Sequence, residues 1–408
     1  MSSIPVLTLP SHPDPYPAYQ WHVSQDKIRF DEDAQCWIVA QFNVVQEVLA
    51  SSQFVVRPLT AQVPPHIAGS SAGELFSLLI RMNEGEQHRL GKQVLQTSLN
   101  QLDLRQLDLL LLDSKIAEVI EDLSGRYDVN KADELNAWIR RLAVSVIAKL
   151  YGFSNSELDK ICLWIDEFVQ CFSPISTPTQ LGAASKSAVS LMAAFQNLLS
   201  NADSDPDSFL YQLQAEAKVI GWDSSSALCA NLIGLLTQSY EASAGLIGNT
   251  LIALHHDPVL YTEVKQEPTK LPQLISEVAR LDSPVQNTRR FVKNELDMHG
   301  VALRTGDCIL LLLAAANRDP AANYAPDELL INRRDRRMIS FSHGRHTCPG
   351  QGLAVRIASA GLHHILKSLA PSSNHQADVF PFAHLYWTYR PSANGRLPVF
   401  YTHEKDMS

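Results

Sequence analysis

No apolar run in this 408-residue chain reaches the length of a bilayer span: the longest, Cys308 to Ala316, falls well short of the roughly 20 residues a membrane helix needs. A membrane anchor is therefore not expected. The opening stretch, Met1 to Tyr19, is proline-rich and lacks the basic-then-apolar pattern of a secretion signal. Six cysteines (Cys36, Cys162, Cys171, Cys229, Cys308 and Cys348) are scattered, with no CxxC pair, which excludes a disulfide framework and a zinc site of ordinary spacing. A reducing, cytoplasmic setting is the expectation. Positive charge is also short, the net being −9, so nucleic acid is excluded as a partner. No internal repeat, low-complexity tract or long Gly/Ser linker divides the chain, and residues 1–408 are expected to form a single domain.

What is present is a well-filled core composition, 45% hydrophobic and 19% charged. Apolar residues recur at helical spacing over Val45–Ser51, Gly73–Leu99, Ser114–Leu123, Glu134–Leu150, Ser156–Cys171, Lys186–Leu199, Ser225–His255 and Leu271–Leu281. Short β-type runs occur at Lys27–Phe30, Cys36–Ala40, Arg289–Lys293, Val301–Leu303 and Leu397–Tyr401. Asp205-Pro206 and Pro371 to Asp378 read as surface connections. The fold class is mainly α with small β-sheets.

The most informative segment is Phe341-Ser342-His343-Gly344-Arg345-His346-Thr347-Cys348-Pro349-Gly350, followed at once by a helix-like stretch, Gln351–Leu369. A cysteine beside a helix N-terminus has backbone N–H groups to stabilise its thiolate, the form that ligates a metal. Gly344 and Gly350 allow close approach of a flat ligand and of the main chain, and Arg345 and His346 add donors. The plainer reading is a buried structural cysteine after a turn. Arg333, Arg334, Arg336, Arg337, Arg345 and Arg356 crowd positive charge into this region, a face that would steer an acidic protein unless it is an ordinary solvated charge run.

The pattern Phe-x-x-Gly-x-x-x-Cys-x-Gly resembles the haem-binding loop of the cytochrome P450 family. Glu277-Val278-Ala279-Arg280 is similar to the family's Glu-x-x-Arg, with both side chains on one helical face. Asn317-Arg318-Asp319-Pro320 and the cysteine loop then follow in the family's order. The resemblance implies a triangular helical domain enclosing haem b, with Cys348 as the axial iron ligand and Phe341, Gly344 and Gly350 shaping the loop. It also implies that Arg290, His346 and His88 hold the haem acids, Lys92 replacing the arginine of an early His-x-x-x-Arg with a point charge, and that Glu277 and Arg280 have a structural role. Where the family places a third partner for that pair this chain has Glu328, and Arg333 is the expected substitute.

The segment expected over the haem's distal face departs furthest from the family. Ala-Gly-x-Glu/Asp-Thr-Thr is replaced by Gln238-Ser239-Tyr240-Glu241-Ala242-Ser243. Glu241 keeps the acid, but Ala242 lacks the alcohol of the first threonine, so protons would come from Ser243, from Gln238 or Ser239 through water, or from the substrate. Val56–Asn83, Phe172–Ala184, Ser283–Thr288 and Phe382–Trp387 are expected around the substrate, with Gln238, Val285, Gln286 and Leu385 lining its pocket. No arginine near the distal segment reads as a carboxylate clamp. The implied function is a haem-thiolate monooxygenase that inserts one atom of O2 into a small secondary metabolite, as a hydroxyl or epoxide. Electrons would come from a ferredoxin and an NAD(P)H-dependent reductase, and the substrate would be free or presented by a carrier protein. Loss of the alcohol leaves open a peroxide- or nitric-oxide-using enzyme of the same type, and Cys348-Pro349 leaves open a haem-binding sensor.

Overall fold

The computed structural model describes residues 4–403 except 105, 174–175, 202–205, 207, 223 and 370–384; the side chains of residues 103–112 also lie outside the described set. The surface connection expected at Pro371–Asp378, Asp205 of Asp205-Pro206, and the first part of Phe382–Trp387 fall outside it. The helices are α1 (Tyr16–Ser24), α2 (Phe42–Ala50), α3 (Ser71–Leu78), α4 (Gly85–Leu104), α5 (Gln106–Ser124), α6 (Ala132–Tyr151) and α7 (Asn155–Val169). They continue with α8 (Pro178–Ser200), α9 (Phe209–Ile220), α10 (Ser225–His256), α11 (Pro258–Gln266), α12 (Leu271–Leu281), α13 (Leu313–Asn317) and α14 (Gln351–Ser368). The strands are β1 (Arg29–Asp31), β2 (Cys36–Val39), β3 (Phe54–Val55), β4 (Thr288–Val292), β5 (Leu296–Met298), β6 (Val301–Leu303), β7 (Cys308–Leu311), β8 (Tyr386–Tyr389) and β9 (Pro398–Tyr401).

One sheet runs β1-β2-β7-β4-β3, and β5-β6 and β8-β9 form two hairpins. β2 and β7 pair in parallel, Trp37 opposite Ile309, which ties the start of the chain to its last third. The helical mass gathers around α10, which is buried on nearly every side and accordingly has no polar face. Its later half passes close to the chain around β9: a Cβ on Gly245 would stand 2.8 Å from the Arg396 carbonyl oxygen, and one on Gly248 2.5 Å from Pro398 Cγ. Only glycine permits that approach.

The clearest departure from the sequence reading is at Gly73–Leu99, expected as one helix. The chain breaks there into α3, a 3-10 turn at Ile80–Met82, and α4. Leu79 is extended, Asn83 turns its amide onto the Ser77 and Leu79 carbonyls at 2.9 and 2.8 Å, and Gly85 opens α4 at φ +69°. Side-chain-to-backbone bonds of this kind compete with helix continuation. α8 begins before the expected Lys186 because Thr177 caps it, with Pro178 in its first turn. Among the described residues no helix is long and apolar enough to cross a membrane.

Candidate active site

Cys348 lies between a 3-10 turn at Gly344–His346 and the start of α14. Its N–H donates to the Phe341 carbonyl at 2.7 Å, and both the N–H and the Oγ1 of Thr347 donate to the Gly344 carbonyl, at 3.1 and 2.7 Å. Phe341 packs on the main core from the other side of the loop. Gly344 has φ +68°, and a Cβ there would stand 3.0 Å from the Leu49 carbonyl oxygen. Its close approach within the chain is to the end of α2. Gly350 has φ −100°, and a Cβ there would meet no protein atom within 4 Å. Cys348 itself is exposed, two residues before Gly350, which lines a cleft. The surrounding protein still desolvates the thiol and pushes its pKa up, while the Gly350 N–H and Lys92 act in the opposite sense.

The cleft is bounded by α10. Burial along that helix lapses around Gln238, which is exposed, and its neighbours Leu235, Ser239, Glu241 and Ala242, which are half-buried. A cavity continues from there between α10 and α14, with Leu235, Ser239 and Ser243 on one wall and Gly350, Leu353 and Ala354 on the other. The hydroxyls of Ser239 and Ser243, four residues apart, share that wall. Gln238 bends its amide back to the Gly234 carbonyl at 2.8 Å, and Ser239 donates to the Leu235 carbonyl at 2.7 Å. Glu241 points to the other side, onto Arg390 at 2.7 Å, with its side chain 41% exposed.

A cluster of donors stands beside the cysteine. His88 on α4 is buried, its ring 4.1 Å from that of His346. Burial first, then His346, holds its pKa down to about 4, so the imidazole is neutral at pH 7. Lys92, one turn further on, donates to the Thr347 carbonyl. Arg290 on β4 is buried and reaches only the Arg289 carbonyl at 2.8 Å and Thr288 Oγ1 at 3.3 Å. Burial pushes its pKa down to about 10 and lowers that of Lys92 as well. Neither Lys92 nor Arg290 has an ion-pair partner among the described residues. Sequence reasoning missed Glu84 in this cluster. It accepts from Arg345 Nε at 2.9 Å, His346 Nε2 at 3.2 Å and the Val56 N–H at 3.1 Å. Burial raises its pKa, but the bonds from His346 and Arg345 outweigh that and hold it at about 2.

Of the residues expected in the substrate pocket, Val285 is half-buried and bridges to Gly395. Gln286 and Leu385 are buried in the interior. Gln286 donates its amide to the Ser283 carbonyl, and its backbone joins Asn394 at 2.8 Å and Ala314 at 3.0 Å, so it clamps loops together.

Glu277 and Arg280 on α12 are fully buried and meet at 2.7 Å. Arg333 Nε adds a bond to Glu277 Oε1 and Arg336 Nε one to Oε2, each at 2.8 Å. The expected substitute is thus present together with a second arginine that had not been foreseen. Glu328 contributes through its backbone, its carbonyl accepting from both Arg280 and Arg333 at 3.1 Å. Asp319 caps α2 by accepting from the Phe42 N–H at 2.9 Å. The expected basic docking face is partly paired within the molecule. Arg333 and Arg336 turn in to Glu277, Arg345 to Glu84, and Arg356 to Asp113 at 2.6 Å, while Arg337 lies over the Phe42 ring.

The setting of the site is a helical fold built around one long central helix, with a cysteine loop leading into α14 beside it. Residues 224–385 match the cytochrome P450 family. The chain is 26% identical over 276 residues to the biotin biosynthesis cytochrome P450 of Bacillus subtilis, covering 68% of this chain and 67% of that one. It is 24% identical over 371 residues to the 20-oxo-5-O-mycaminosyltylactone 23-monooxygenase of Streptomyces fradiae, covering 89% and 84%. The crystal structure of P450BioI in complex with hexadec-9Z-enoic acid ligated acyl carrier protein superposes with a TM-score of 0.76 at 21% identity, over 95% of this chain and 97% of that one. The chain belongs to the cytochrome P450 family and is one of its monooxygenases.

Proposed function

We propose that Cys348 is the axial ligand of a haem b lying in the cleft between α10 and α14, and that the protein inserts one atom of O2 into a small organic substrate, as a hydroxyl or epoxide. The observation that carries this reading is the coincidence of three features: the lapse in α10 burial, the exposed cysteine two residues before Gly350 in the cavity wall, and two cations, buried Arg290 and half-buried Lys92, with no ion-pair partner among the described residues. Haem carries two propionates, and Lys92 and Arg290 match that charge, with neutral His88 and, in ring contact with it, His346 beside them as donors. When bound, a thiolate-ligated haem supplies oxygen activation.

The chain's own residues then exclude water and move protons. Glu241, half exposed and paired to Arg390, takes up protons at the solvent side of α10. Ala242 cannot pass them on, so the route runs through water held by Ser239 and Ser243 or through a hydroxyl of the substrate. A secondary metabolite rich in hydroxyls suits this arrangement, and the tylactone relative acts on such a compound by its name. The carrier protein bound to P450BioI supports a tethered substrate as the other form of presentation. Electrons come from a ferredoxin and an NAD(P)H-dependent reductase. The exposed Arg334 and Arg337 are what remains of a basic face to receive the ferredoxin.

Purified protein reconstituted with haem tests the ligand: the ferrous–CO spectrum is expected to be of thiolate type, and Cys348→Ser is expected to abolish it. Retention of that spectrum in the variant overturns the assignment. The missing alcohol at Ala242 favours a second reading, turnover supported by peroxide. Ala242→Thr is expected to reduce futile peroxide release with non-native substrates, and peroxide-driven turnover equal to that with ferredoxin would establish the second reading instead.

A further inference from the structure

Arg81 stands in the 3-10 turn Ile80–Met82, between α3 and α4. Its chain neighbours reach α10: Leu79 packs against Gly234, and the Ile80 N–H donates to Asn231 Oδ1 at 2.7 Å. The guanidinium itself lies 5.0 Å over the ring of Phe172, which packs in turn on Phe76 and Phe168. Its Nε is buried without a hydrogen-bond partner, and among the described residues no carboxylate pairs with it. Burial holds its pKa down to about 10.

The neighbouring Arg57 shows what a structural arginine looks like here. It donates to the Met82, Gln62 and Ser77 carbonyls and to Asn83 Oδ1, and so closes the turn around α3. Arg81 closes nothing. A half-buried cation whose Nε is sealed from water is costly unless an anion or an acceptor meets it, and none does so among the described residues.

We propose that Arg81 receives an anionic oxygen group of the substrate, a carboxylate or a phosphate, on an otherwise apolar and aromatic-lined body. The enzyme's substrates are then organic acids rather than neutral compounds. A guanidinium covered on one face by a phenyl ring keeps its in-plane N–H groups open to a two-pronged oxyanion. Asn231, bonded by the neighbouring Ile80 N–H, and Gln238 are seven residues apart on α10, on the order of 10 Å along its axis. This replaces the sequence-based expectation that no arginine serves the distal side. It deepens the monooxygenase reading and rests on it.

The test uses the haem-loaded protein, first shown to give the thiolate-type ferrous–CO spectrum; failure at that step overturns the haem reading and is distinct from failure of this one. The ferric protein is then titrated with dodecanoic acid, its methyl ester and dodecyl phosphate while the Soret band is followed. The acid or the phosphate is expected to bind about tenfold to a hundredfold more tightly than the ester, and whichever binds more tightly names the anion. Arg81→Gln is expected to abolish the preference and Arg81→Lys to keep part of it. Ligand-free Arg81→Gln is expected to melt within a few degrees of the wild type, because the contact with the Phe172 ring is all that is lost. Equal binding of acids and ester, an acid preference that survives Arg81→Gln, or a markedly lower melting temperature in ligand-free Arg81→Gln would each overturn the proposal.

Discussion

Two regions of this molecule bury arginines in opposite ways. Around Glu277 on α12, Arg280, Arg333 and Arg336 converge on one carboxylate, and carbonyls at Asn317, Pro326 and Glu328 take the remaining N–H groups of Arg280. Every charge has its answer inside the chain. By contrast Arg290 is buried and Lys92 and Arg81 half-buried, and none of the three has an ion-pair partner among the described residues. Saturated arginines build, because each bond they make is internal to the folded state. Unsaturated ones lower the stability of the empty protein and gain their partner only when a ligand arrives, which is the pattern expected of a site rather than a frame.

The comparison is most exposed to failure at Glu277. Glu277→Gln leaves three arginines around a neutral amide and is expected to destabilise the fold by about 3–5 kcal/mol, read from denaturant unfolding. A loss below about 1 kcal/mol would mean that the network is dispensable. Arg290→Gln is expected to behave oppositely: the haem-free protein stays within about 1 kcal/mol of the wild type, while haem dissociation, followed by transfer to apomyoglobin, quickens about tenfold. A large loss of stability without faster haem loss would move Arg290 into the structural group.

The smallest effect is on pH dependence. Glu84 faces His346 and Arg345 and has a pKa of about 2 in the folded protein, below its unfolded value of 4.5. Its contribution is complete above about pH 4.5 and disappears as pH falls toward about 2, so the stability difference between wild type and Glu84→Gln should close over that window. His88 faces His346, Glu84, Lys92 and Arg345 and also has a depressed pKa, about 4 against 6.5. The unfolded chain therefore binds its proton first, and stability falls as pH drops from about 6.5 to 4. His88→Gln should flatten that slope in urea unfolding measured across the range.

Much of the frame was legible because it is local in sequence. Leu271–Leu281 and Val301–Leu303 fall at their expected limits, and Glu277 and Arg280 share a face because three residues make nearly one helical turn. The cysteine loop was recognisable for the same reason. Strand β7 was visible only as an apolar run, and α9 and α11 were not read as helices, since short apolar stretches do not reveal their period. Glu84 gave a weak signal at best: an acid beside a turn glycine is common, and its value lies in Arg345 and His346 arriving from more than 250 residues away. The basic run at Arg333–Arg337 was legible only as charge, because residue counts cannot show that Arg333 and Arg336 turn in to Glu277 while Arg334 and Arg337 stay exposed.

The sequence by itself determined the family, the helical character, the position of the cysteine and the loss of an alcohol at Ala242. These depend on residue identity and short-range spacing, which the chain carries with it when unfolded. Only the tertiary structure decided which charges are answered. Arg57 and Arg81 stand in the same run of sequence and look alike there, yet one is saturated by carbonyls and the other is left above a phenyl ring. The difference arises from where the α3–α4 turn meets α10 and the end of α7. Pairing and desolvation are properties of neighbours in space, and they exist only once the chain has folded.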